Sequence, residues 1–210
     1  MLGVGNMIKE DISAIILAAG TSTRMGTEKQ LLPIRGQLML EHVIETVNAH
    51  RFKEIVVIVG HKGNEIRQAV RTEDDRLRWV MNDHFVKGQS TSFNCGINSV
   101  TKTIPSAIVF LADQPFISKE TISTIILKGR KLAEKKTDPY VIRPLYNGQQ
   151  GHPVFIGNVH QLPLPFLASD KGGKVYIEKI KTVEKLEVND PNVVFDIDTK
   201  EDYEHVIKKK

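Results

Sequence analysis

The sequence predicts an α/β fold, a single domain built on a doubly wound, mostly parallel sheet. Three observations carry this. Short continuous apolar runs beginning at Ile15, at Ile55 and at Ala107 read as strands buried on both faces. Segments of helical period stand between them, the first carrying Leu40, Val43, Ile44 and Val47. A chain of 210 residues is long enough for one sizeable core of this kind and short for two.

The elements follow in order. Residues 1–10 read as a flexible tail, leaving one domain over 11–210. The first strand stops at Gly20, and hydrophobicity resumes at Leu31. The helix carrying Leu40 to Val47 leads to the strand 55–59, which ends at Gly60; a helix over 63–70 and a strand over 77–81 containing Trp79 come next. The polar stretch 82–92 is a connection, and a helix then runs toward Val100. Strand 107–111 ends at Asp113-Gln114-Pro115, where Ser118 is placed to cap a long amphipathic helix carrying Ile122, Ile125, Ile126 and Leu132. Strands at 140–143 and 154–156 flank Gly148-Gln149-Gln150-Gly151-His152-Pro153. A second glycine-rich turn over 169–174 opens a helix through Tyr176, Ile177 and Ile180. Strands over 183–188 and 193–195 precede Asp196-Ile197-Asp198 and a last helix capped by Thr199. Ligands of such a sheet bind at the carboxyl ends of its strands.

Composition narrows the function classes. Hydrophobic content of 40% and charged content of 26% are ordinary for a soluble globular protein. No run approaches a membrane span and residues 1–10 lack the apolar core of a signal peptide, so a cytoplasmic protein without membrane contact is expected. The lone Cys95 excludes an intrachain disulfide and reads as a small packing residue rather than a nucleophile. Part of the formal charge of +4 sits in the terminal lysines, and no basic patch interleaves with aromatics, so nucleic acid is not the expected partner.

The chemistry concentrates between Leu17 and Pro33. Gly20 and Gly26 permit close backbone approach, Ser22 and Thr23 add short donors, and Arg24 and Lys29 bring two cations to one loop after a buried strand. This pattern suits polyphosphate. It is not a P-loop, because five residues separate Gly20 from Gly26 and Thr27 occupies the lysine position. Nor does the dinucleotide fingerprint G-x-G-x-x-G follow this strand.

Triphosphate implies a divalent ion held by a few carboxylates, phosphate oxygens and water. Asp113 stands at the carboxyl end of an apolar strand, where an unpaired carboxylate needs a cation; Asp196 and Asp198 are spaced to face the same way if extended. Asp113 and Asp198 are the predicted metal ligands. No histidine pair has zinc spacing, and Cys95 lacks an evident base, so a mechanism of positioning and charge neutralisation fits better than covalent catalysis.

Leu17-Ala18-Ala19-Gly20-Thr21-Ser22-Thr23-Arg24-Met25-Gly26, with Lys29 and Leu31-Leu32-Pro33, resembles the signature of the MobA-like nucleotidyltransferases, whose fold is Rossmann-like. Gly88-Gln89-Ser90-Thr91-Ser92, Asp113-Gln114-Pro115, Gly151-His152-Pro153, Asp170-Lys171-Gly172-Gly173 and Asp196-Ile197-Asp198-Thr199 resemble later motifs of its molybdenum cofactor cytidylyltransferase branch, in the same order. The Ala18-Ala19-Gly20 form looks like the CTP-using branch. Ser169 and Lys174 depart from the family's usual glycine and arginine.

The resemblance implies that Leu17, Ala18, Ala19, Gly20, Arg24, Gly26, Lys29, Ser90 and Asp113 bind nucleotide, with Arg24, Lys29 and Asp113 catalytic. It implies that Gln89, Ser92, Gln114, Gly151, His152, Asp170, Gly172 and Gly173 bind the acceptor, and that Asp113 and Asp198 hold Mg2+. The expected reaction transfers CMP from CTP to molybdopterin or the molybdenum cofactor, with a molybdenum hydroxylase of purine catabolism, or its maturation factor, as partner. A sugar or polyol phosphate acceptor is the alternative within the class; a noncatalytic cofactor-binding chaperone is the alternative outside it.

Overall fold

The computed structural model describes residues 11–20, 25–164 and 172–208. In chain order the elements are β1 (Ile12–Ala18), a hairpin of β2 (Pro33–Ile34) and β3 (Gln37–Leu38), α1 (Met39–Asn48), β4 (Glu54–Val59), α2 (Gly63–Ala69), β5 (Leu77–Met81), α3 (Gln89–Ser99), β6 (Ser106–Leu111), α4 (Lys119–Ala133), β7 (Tyr140–Tyr146), β8 (Gln149–Gln150), β9 (Val154–Gly157), α5 (Lys174–Ile177), β10 (Thr182–Glu187) and α6 (Lys200–Lys208).

The main sheet runs β10-β7-β9-β6-β1-β4-β5, with β8 paired to β7. β1 is parallel to β4 and β6, β4 to β5, and β7 to β10, while β9 runs antiparallel between β6 and β7. Successive side chains of a strand face opposite ways, so β1 and β4 feed two cores. Ala14, Ile16, Ile55 and Val57 pack with Leu40, Val43 and Ile44 of α1, Ile66 of α2 and Ile122 and Ile125 of α4. Ile15, Val56 and Ile58 pack with Phe93 and Ile97 of α3 and Tyr176 and Ile177 of α5. The sheet is thus doubly wound, as the sequence predicts. β4 is buried along its whole length, as its unbroken apolar run requires.

The predicted caps are in place. The Ser118 hydroxyl accepts from the Thr121 amide at 3.1 Å, and the Thr199 hydroxyl accepts from the Asp202 amide at 3.1 Å. Two predicted elements are corrected. Residues 193–195 are not a strand: Pro191–Val194 form a 3-10 turn, because the Asp190 carboxylate accepts from the Asn192 amide at 3.0 Å and Pro191 fixes the next φ. The helix after the second glycine-rich turn stops at Ile177 and does not reach Ile180. The β2/β3 hairpin has no counterpart in the sequence reading; Arg35 and Gly36 turn it with φ of 49° and 88°. Among the described residues no helix is long and apolar enough to cross a membrane.

Candidate functional site

The chain reverses its direction of travel across the sheet at β1, so a crevice opens above the carboxyl ends of β1 and β6. Leu17 pairs with Leu111, and the Ala112 amide continues the ladder to the Leu17 carbonyl at 3.1 Å. Asp113 therefore leaves β6 beside the loop that leaves β1. The returning chain makes a 3-10 turn at Lys29–Leu31. That turn sets the Lys29 Nζ 2.5 Å from Asp113 Oδ2 and 2.8 Å from Asp198 Oδ1. Gln30, 1% exposed, donates to the Ala18 carbonyl at 2.9 Å and the Gly20 carbonyl at 3.4 Å, fixing the turn to the end of β1.

The C-terminal segment is bound to the same place through Asp113-Gln114. The Ile197 amide donates to the Asp113 carbonyl at 3.0 Å. The Gln114 side-chain amide donates to Asp196 Oδ1 at 2.6 Å and to the Val193 carbonyl at 3.3 Å. The His152 amide also donates to the Val193 carbonyl, at 2.8 Å. Gly151 is required there, since a Cβ on it would lie 2.2 Å from the Val193 oxygen.

Charge is unevenly shared in this cleft. Burial alone would lower the Lys29 ammonium, but attraction to Asp113 and hydrogen bonds to Asp113 and Asp198 outweigh it and hold the group above its ordinary range. Asp196 is reached by solvent, yet desolvation in the cleft and the charges of Asp113 and Asp198 push its carboxyl up to about 6, against the Gln114 hydrogen bond and Lys29. Burial, then the positive Arg143, hold the His152 ring down at about 4 despite a backbone hydrogen bond at Val109. His152 is neutral at pH 7, and its Nδ1 is sealed from solvent without a hydrogen-bond partner. Burial likewise raises the Cys95 thiol, as befits a packing residue.

These groups surround a cavity of about 340 Å3. Leu17, Ala19, Gly20, Lys29, Asp113 and Asp198 line it with Gln89, Ser92, His152, Gly172 and Gly173, so predicted nucleotide, metal and acceptor residues share one space. Arg24 and Asp170 lie outside the described residues. Five further predicted residues do not line the cavity. Ala18 faces the opposite core and Ser90 is fully buried in α3. Gly26 turns the loop at φ 69° with open space around it. Gln114, 4% exposed, and Gly151 act from behind, holding Asp196 and Val193.

The sequence reading missed Gln30 and Arg143, both of which line the cavity. Gln30 follows the lysine directly, and its two carbonyl contacts depend on the fold. Arg143 sits in a strand beside Ile142, and its phase with Val141 is the signal that a cation stands on a buried face.

Among the described residues no group of three or more His, Cys, Asp or Glu side chains forms a ready-made metal cage. The donor set instead suits a hard cation that takes one or two carboxylates and completes its shell with phosphate oxygens and water. Asp113 Oδ1 is buried without a hydrogen-bond partner, a position a divalent cation would satisfy.

The family model of the MobA-like NTP transferase domain matches residues 14–184. Nicotine blue oxidoreductase of Paenarthrobacter nicotinovorans is 27% identical over 199 residues, covering 90% of this chain and 93% of that protein. Molybdenum cofactor cytidylyltransferase of Escherichia coli K12 is 24% identical over 197 residues, covering 91% and 93%. The crystal structure of Rv0371c from Mycobacterium tuberculosis H37Rv superposes with a TM-score of 0.78 at 26% identity, over 93% of this chain and 96% of that one.

Proposed function

The chain belongs to the MobA-like NTP transferase family and is a nucleotidyltransferase, and within that family we propose that it transfers CMP from CTP to the terminal phosphate of molybdopterin or its molybdenum form. The observation that carries this reading is the meeting of Lys29, Asp113 and Asp198 in a cavity that also holds His152, Gly172 and Gly173. One half of that set suits a metal-bound triphosphate and the other a second substrate. The similarity to the Escherichia coli cytidylyltransferase, which spans nearly all of both chains, supports the acceptor class.

Asp113 and Asp198 would hold Mg2+, which when bound supplies charge neutralisation on the triphosphate. Rv0371c has been crystallised with manganese, which supports a divalent ion in this family. Lys29 neutralises phosphate charge from its seat between the two carboxylates, and Gln30 keeps the end of β1 where phosphates approach its backbone. An oxygen of the acceptor phosphate forms a bond to the α-phosphorus as the α–β bridging bond breaks, and pyrophosphate leaves with that electron pair. Neither a protein nucleophile nor Cys95 is needed.

Purified protein incubated with CTP or GTP, Mg2+ and molybdopterin should release pyrophosphate with CTP in preference to GTP. Turnover of neither nucleotide overturns the reading. Transfer to a sugar or polyol phosphate, with none to the pterin, replaces its acceptor.

A further inference from the structure

Arg143 stands in the cavity wall apart from Lys29, Asp113 and Asp198. Its register continues that of Val141 and Ile142 opposite Ile156 and Phe155 of β9. By the two-residue period it shares the face of Val141, whose neighbours there include Val154, Val109 and Ile15. A guanidinium in that apolar row is held only half-exposed, and desolvation lowers its pKa from the ordinary value while the charge of Glu178 partly restores it.

Its partners are neutral. The guanidinium donates to Gln150 Oε1 at 3.0 Å and to the Gly151 carbonyl at 3.5 Å, and among the described residues no carboxylate forms an ion pair with it. The other cations lining the cavity differ: Lys29 is held by Asp113 and Asp198, and Lys174 is solvated beside Glu178 at 3.8 Å. Burying an unmatched cation costs several kcal/mol in general unless an anion meets it. The planar guanidinium fork matches phosphate in two parallel hydrogen bonds.

Resting on the transfer reading above, we propose that Arg143 binds the phosphate of the acceptor, a phosphomonoester, in the part of the cavity beside His152. Burial, with the charge of Arg143 second, keeps the His152 ring neutral, so the histidine adds no second positive charge beside the guanidinium. Because Lys29, with any cation held by Asp113 and Asp198, would meet the nucleotide phosphates, Arg143 discriminates acceptors that carry a phosphate from those that do not.

The test uses inorganic phosphate as probe, titrated by 31P NMR against wild type, Arg143→Gln and Arg143→Lys, with the affinity for CTP and Mg2+ measured alongside. Loss of charge-assisted hydrogen bonds should weaken phosphate binding by roughly 10- to 100-fold in Arg143→Gln and by less in Arg143→Lys. The affinity for CTP should stay within about twofold. The melting temperature of ligand-free Arg143→Gln should be unchanged or higher, because a purely structural arginine would destabilise on removal. In the transfer assay the same loss should appear in KM for the acceptor and not in KM for CTP. Unchanged phosphate affinity in Arg143→Gln, or an equal loss for CTP, overturns the proposal. Weakened phosphate binding in a protein that does not transfer to molybdopterin leaves the phosphate subsite standing and removes only the pterin from the reading.

Discussion

At 2.5 and 2.8 Å from two carboxylates, the Lys29 ammonium holds together groups that repel one another without it. Replacing it with Met removes one preorganised positive contact to developing phosphate charge and should lower kcat on the order of 100-fold or more. Steady-state pyrophosphate release at saturating CTP checks this, and a loss below tenfold would remove Lys29 from the machinery. His152 gives a second test at this scale. Its unfolded ring titrates near 6.5 and its folded ring at about 4, so between those values the unfolded chain binds a proton that the native chain refuses. The stability this contributes is full at pH 7 and is lost as pH falls from 6.5 toward 4. Asp196 acts oppositely, since its raised carboxyl binds a proton more readily in the native state as pH falls through about 6. The informative quantity is therefore the difference between wild type and His152→Gln. Its urea midpoint should shift against wild type over that pH window, by roughly 1–2 kcal/mol once partial solvent access to the residue is allowed for. A difference independent of pH would show that the ring titrates normally.

The turn Pro191–Val194 governs the site more than any helix does, because the chain leaving it carries Asp196 to Gln114 and Asp198 to Lys29. A methyl group on Gly151 would meet the Val193 carbonyl at 2.2 Å, and neither backbone can yield without moving that segment. Gly151→Ala should cost roughly 2–3 kcal/mol in urea unfolding and reduce transfer as well. Ser118→Ala should cost about 1 kcal/mol by losing the cap of α4 while transfer stays unchanged. Equal catalytic effects would break the link between this turn and the carboxylates. The same segment marks where sequence reasoning stops. The strands β1, β4 and β6 are legible because unbroken apolar runs have no other economical burial. Val193-Val194-Phe195 has strand composition too, but the Asp190 side chain and Pro191 impose a turn first, a local competition that composition does not express. The β2/β3 hairpin is too short for periodicity to reveal. Arg143 hid for the opposite reason, a polar residue inside an otherwise convincing strand.

Across the whole molecule the cavity joins two ends of the chain, since Gly20 and Lys29 come from its first 30 residues and Asp198 from its last 15. Asp113 is legible as a candidate metal ligand because it ends an apolar strand. Its contact with the C-terminal segment is not, since Ile197 reaches the Asp113 carbonyl through the main chain, where side-chain identity leaves no trace. A ligand bound there ties both ends to the centre of the sheet and should stabilise the fold as one unit. With CTP and Mg2+ at 100 times the dissociation constant, mass action gives about 2.7 kcal/mol. For a domain of this size that corresponds to a rise in Tm of roughly 5–10 °C. Because Asp113 and Asp198 would hold the triphosphate through the cation, CTP with EDTA should give a small fraction of that rise, and Mg2+ alone little. Asp113→Asn, which removes a negative ligand without changing shape, should abolish the excess over CTP with EDTA. Thermal scans of the four ligand conditions for both proteins check this. A full rise in EDTA would mean that the basic loop binds triphosphate without a cation, and the carboxylates would then need another role.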